Sequence, residues 1–196
     1  MRILWISIFF SVLTWSAIHP KDSLTWVLEV APALIGFALL VITWKKFRLT
    51  QMLYLLILLH SVVLMVGGHY TYSEVPLFDT IKPFFGFERN NYDKVGHIMQ
   101  GFMPAILSRE IIIRNDIVNG RSWMNFFILC ICLGFSALYE LIEWLVAVIS
   151  GESADAFLGT QGYVWDTQAD MAFALLGAIA ALLLLSRAHD RQLDGV

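Results

Sequence analysis

Six apolar runs decide what this chain can become. They lie at residues 3–18, 24–44, 50–68, 93–113, 123–149 and 166–187, and most approach or exceed the roughly 20 residues that cross a hydrocarbon core as a helix. In lipid, a helix satisfies every backbone N–H and C=O within its own segment. The pattern predicts an all-α integral membrane bundle of about six transmembrane helices, forming a single domain over residues 1–196. Composition agrees, because only 15% of residues are charged, against about a quarter in a soluble domain. A net charge of −3 leaves no electrostatic footprint for nucleic acid. The first run resembles a signal peptide but lacks a small-x-small cleavage site, and a second run follows at once, so it reads as a retained helix. Cys130 and Cys132 sit two apart in one run and face different sides, as packing thiols rather than zinc ligands or a disulfide.

Basic residues in the short loops set the orientation. Arg2, then Lys45, Lys46 and Arg48, then Arg109, Arg114 and Arg121, then Arg187 and Arg191 all fall on one side if there are six passes. That side is expected to be cytoplasmic, with both termini on it. The long loop at 69–92 and an acidic loop with Glu152 and Asp155 then face outward. The long loop holds Pro76, Pro83 and four phenylalanines, Phe78, Phe84, Phe85 and Phe87. It is too apolar for a free linker and is expected to lie in the interface as a short helix or lid.

Against this background a few polar residues stand out. Asp93 and His97 are four apart and share a helix face, which Gln100 extends by a turn. Glu140 and Glu143 are three apart in "ALYELIEW". Counted from residue 149 they lie roughly 13 Å and 9 Å deep, at 1.5 Å per residue. A carboxylate at such depth costs about 3 kcal/mol on insertion scales, so it must be paired, protonated, metal-bound or hydrated. Asp166 and Asp170 open the last run, and His69 follows a double glycine at the end of the third. All of these fall in the outer half of the bilayer, although the topology used only Lys, Arg and apolar length. They are expected to converge on one outward-facing polar cavity. Singly, Asp93 and Asp166 also read as solvated helix starts, His97 and His60 as packing histidines, and Lys94 as either a headgroup-level lysine or a neutralising one.

"GGHYTYSEVP", "YDKVGHIMQGFMPA", "ALYELIEW" and "FLGTQGYVWDTQADM" together resemble the YjdF group of bacterial inner-membrane proteins. More broadly, the pattern is similar to VanZ-like membrane proteins. The likeness sets Asp93, Lys94 and His97 at a helix start, Glu140 in a later helix, and Asp166 or Asp170 with Gly177 in the last. It implies a multi-pass helical fold in the bacterial inner membrane and no settled reaction.

Three functions fit these residues. Asp, Glu and His at helical spacing are the right types for one or two divalent metal ions, here His69, His97, Glu140, Glu143, Asp166 and Asp170. Glu140, Glu143, His97 and Asp93 then supply acid/base groups for hydrolysis or transfer on a lipid or lipid-linked envelope substrate. Buried carboxylates with histidine also serve proton- or cation-coupled carriers. Such pairs can equally be purely structural, in a protein that only binds or assembles.

Overall fold

The computed structural model describes residues 2–150 and 163–195. Among them are six long helices and one short one. They are α1 (Arg2–Ala17), α2 (Ser23–Thr43), α3 (Gln51–His69), α4 (Pro76–Ile81), α5 (Tyr92–Arg114), α6 (Arg121–Ser150) and α7 (Asp166–Leu193). By length and composition α2, α3, α6 and α7 can each cross a membrane. α1 is shorter, at 16 residues, and α5 carries Asp93, Lys94, Arg109, Glu110 and Arg114 along its length. The acidic loop expected around Glu152 and Asp155 lies outside the described residues.

Local chemistry sets the helix starts. Asp22 caps α2, its carboxylate accepting from the Thr25 N–H at 2.7 Å, and Thr50 caps α3 through Leu53. Side-chain caps satisfy N–H groups that have no partner within the helix. The long loop resolves into α4, with Pro76 in its first turn, and a 3₁₀ turn at Lys82–Phe85 closed by Gly86 at φ 67°, a left-handed conformation that suits glycine. Phe84 and Phe85 are exposed, as an interfacial segment allows.

α5 and α7 form the centre, and their backbones touch. A Cβ on Gly101 would lie 1.7 Å from the Ala174 carbonyl oxygen, and one on Gly177 2.1 Å from that of Ile98. Small residues permit this approach between helices in lipid. The two helices run the same way, because Asp93 and Asp166 meet at one end while Arg109 and His189 meet at the other. α3 and α6 pack against α5, and α1 and α2 against α3. The double glycine lies inside the last turn of α3. There Gly67, with Gly96 of α5, makes room for the Tyr72 ring, which wedges between α3 and α5.

At the Arg109 end a second polar network is buried. Glu110 accepts from the Thr50 N–H at 3.0 Å and from its hydroxyl at 2.8 Å, and pairs with Arg114 at 2.9 Å. His189 bridges Glu110 at 3.0 Å and Arg109 at 2.9 Å. Since Arg109 can only donate, His189 Nδ1 accepts and its Nε2–H points to Glu110. This network extends α7 to Leu193, six residues past the expected end at 187.

Candidate carboxylate and histidine site

At the α5 and α7 N-termini a cleft of about 210 Å³ opens between α2, α3, α5, α6 and α7. Asp93, His97, Gln100, Glu143, Asp166 and Asp170 line it. Asp93 and His97 share one face of α5, Glu140 and Glu143 one face of α6, and Asp166 and Asp170 one face of α7. All three faces turn inward, and Glu140, Glu143, Asp93, Asp166 and Asp170 are each under 10% exposed.

Two groupings stand out. His97, Glu140 and Asp170 come from three helices and can each offer a ligand atom within 4.8 Å of the others. Asp93, Asp166 and Asp170 form a second such group. Arg89 occupies the second. Its guanidinium binds Asp166 at 2.5 Å and also hydrogen-bonds Asp93. Burial works against the Arg89 charge, but the Asp166 hydrogen bond and the fields of Asp93, Asp166 and Asp170 outweigh it and raise its pKa.

Among the described residues no cation is paired with Glu140 in the first grouping. Buried Glu140 Oε1 and Asp170 Oδ1 have no hydrogen-bond partner among the described residues. His97 Nδ1 lies 3.1 Å from Gln100 Oε1, which accepts, so Nδ1 carries the ring proton. Nε2 therefore presents a lone pair toward Asp170 Oδ2 at 3.6 Å. Two electron-rich atoms face each other at that distance, an arrangement that a shared proton or a cation between them would satisfy. These three residues could hold a divalent ion, with Gln100 fixing the tautomer.

Several expectations change. His69 lines neither the cleft nor either grouping. Its Nδ1 lies 3.0 Å from the Ser16 carbonyl and its ring packs on Trp15, which ties α3 to α1. Gln100 hydrogen-bonds the His97 ring, while Asp93 holds Arg89. Lys94 sits 5.5 Å over the Phe173 ring, and Arg89 is the neutralising cation. The residues the sequence reading overlooked are Glu29, Tyr72 and Tyr139, which line the same cleft. Glu29 is buried in α2 and accepts from the Tyr139 hydroxyl at 3.0 Å. Its signal was available: a single acid within an apolar run.

The cleft and helix pattern define a helical membrane protein with buried acid/imidazole chemistry near one face. The match to the family described as "Predicted membrane protein (DUF2238)" spans residues 1–191, and the chain belongs to that family. It is 48% identical over 182 residues to "Inner membrane protein YjdF" of Escherichia coli (strain K12), covering 93% of this chain and 87% of the relative. The chain is thus a membrane protein of the bacterial inner membrane. These matches do not extend to VanZ-like proteins. No solved structure matches.

Proposed function

We propose that the protein is a metal-dependent hydrolase or transferase whose site opens to the outer face of the inner membrane. In this reading six helices span the bilayer and both termini are cytoplasmic. One divalent ion is held by His97 Nε2, Glu140 and Asp170. The observation that carries it is the meeting of three ligand atoms within 4.8 Å, with a carboxylate oxygen on each of Glu140 and Asp170 left without a partner. Two carboxylates and a neutral imidazole carry −2, which cancels a divalent charge. Three protein ligands leave a coordination position for water or substrate. Arg89 already fills the second acidic grouping, so one ion is expected rather than two.

A bound divalent ion lowers the pKa of its water and polarises a phosphoryl or acyl oxygen. Glu143, three residues from Glu140 on the same face, would take the proton of that water. Arg89, held by Asp93 and Asp166, can steady an anionic substrate group. A site near the membrane surface suits a lipid or lipid-linked envelope substrate. The closed contact of Gly101 on Ala174 and Gly177 on Ile98 seals α5 against α7 below the cleft. This supports a one-sided site over a carrier, whose pathway needs polar steps through the bundle.

The test is lipid turnover. Protein in nanodiscs made from inner-membrane lipid extract is incubated with Zn²⁺, Mn²⁺ or Mg²⁺, and products are read by mass spectrometry. A new lipid species that requires the metal and disappears in Glu143→Gln is the expected result. Unchanged lipids under every metal contradict the catalytic reading and leave binding or structural support in its place.

A further inference from the structure

The opposite end of the molecule carries a second cavity. Between α1, α2 and α3 lies a cleft of about 960 Å³, near the upper end of the roughly 300–1,000 Å³ of small-molecule sites. Its walls are apolar, with Ile6, Phe37, Leu40, Val41 and Leu55. Ile6, Val41 and Leu55 are 47, 60 and 54% exposed. Beneath it, the Trp5 indole N–H donates to the Tyr54 carbonyl at 2.7 Å, so α1 is pinned to α3 and the cleft is framed by fixed contacts.

The mouth of the cleft is cationic. The Arg2 and Arg48 guanidinium carbons lie 4.4 and 5.6 Å from the Trp44 ring centroid, so two cations flank one indole. Three other arginines at this end have carboxylate partners: Arg109 and Arg121 pair with Asp190, and Arg114 with Glu110. Arg2 and Arg48 have none among the described residues. Two unneutralised guanidiniums over an apolar trough match a ligand with an anionic head and a hydrocarbon tail.

We infer that this cleft binds one anionic phospholipid, with its phosphate between Arg2 and Arg48 and an acyl chain along Phe37, Leu40 and Val41. Guanidinium forks fit phosphate oxygens in pairs, and basic pockets between membrane helices suit anionic headgroups. The inference is independent of the metal and of any reaction. It also stands whichever leaflet this end occupies.

The full chain in detergent is titrated with phosphatidylglycerol or phosphatidylcholine of identical chains, and bound lipid is counted by native mass spectrometry. One phosphatidylglycerol is expected to bind in clear preference to phosphatidylcholine. Arg2→Gln with Arg48→Gln should weaken it roughly twenty-five-fold, at about fivefold per guanidinium. Lys45→Gln with Lys46→Gln removes the same charge beside the cleft, outside its lining, and should weaken it much less. Val41→Trp sets a bulky ring across the acyl-chain path and keeps every charge, so it must also weaken lipid binding, which decides the matter if the arginine variant does not fold. Equal binding of the two lipids overturns the inference. So does equal loss in the lysine variant, or retention in Val41→Trp.

Discussion

Substituting Gly101 by alanine tests how the bundle centre is built. Its Cβ would stand 1.7 Å from the Ala174 carbonyl oxygen, where real contacts stay at 3.0 Å or more, so α5 and α7 must part by about 1.3 Å. The obstacle is backbone and cannot rotate away. Overpacking typically costs about 1–3 kcal/mol, and a backbone clash belongs at the upper end, about 3 kcal/mol. The parting also separates His97 from Asp170, now 3.6 Å apart, by far more than the ~0.2 Å tolerance of metal–ligand distances. The assay is thermal or denaturant unfolding in detergent, with bound metal measured on the same samples. Gly36→Ala and Gly134→Ala are internal controls, because nothing lies within 4 Å of either added Cβ. Both should be neutral or stabilising by up to about 1 kcal/mol, as alanine is the better helix former. Wild-type stability for Gly101→Ala, within about 0.5 kcal/mol, would refute the close-packed α5–α7 arrangement.

Other perturbations separate the two polar networks. Glu110→Ala strips Thr50, His189 and Arg114 of a shared partner and should cost about 3–5 kcal/mol in unfolding experiments, without changing metal content per folded molecule. Glu29→Ala leaves the Tyr139 hydroxyl without its carboxylate and should cost about 1–3 kcal/mol, with Glu29→Gln recovering most of it. Asp22→Ala should cost about 1 kcal/mol as a lost cap. The Thr25 backbone hydrogen bond holds the Asp22 carboxyl below its usual pKa. The cap's contribution is therefore full above the unfolded carboxyl pKa and is lost as pH falls through the depressed one; a pH series of melting curves should show wild type and Asp22→Ala converging in acid.

Much of this architecture could be read from residues in order. The expected helix bounds hold to within about two residues for α1, α2, α3, α5 and α6, because apolar length and flanking polar residues mark them locally. Pairs such as Glu140 with Glu143 and Asp166 with Asp170 were legible because helical spacing fixes which side chains share a face. What spacing cannot encode is which face meets which helix. His69 looked like a member of the site by depth alone, yet it turns toward Ser16 on α1. Arg89 lies in the long loop with no helical spacing to mark it, and only the fold sets it between Asp93 and Asp166. Nothing local singles out Glu110 beside Arg109, and only the three-dimensional meeting of α3, α5 and α7 makes it a buried hub. Tertiary contacts between residues 60 to 80 positions apart carry no local pattern.

The most direct measurement is elemental analysis of the full-length protein, purified without chelator. About one divalent ion per chain is predicted for the wild type, falling to near zero in Glu140→Gln, Asp170→Asn and His97→Ala while Arg2→Gln with Arg48→Gln retains it. A wild type that carries no metal and takes up none on dialysis against Zn²⁺, Mn²⁺ or Mg²⁺, or an Asp170→Asn protein that keeps its ion, would contradict the account.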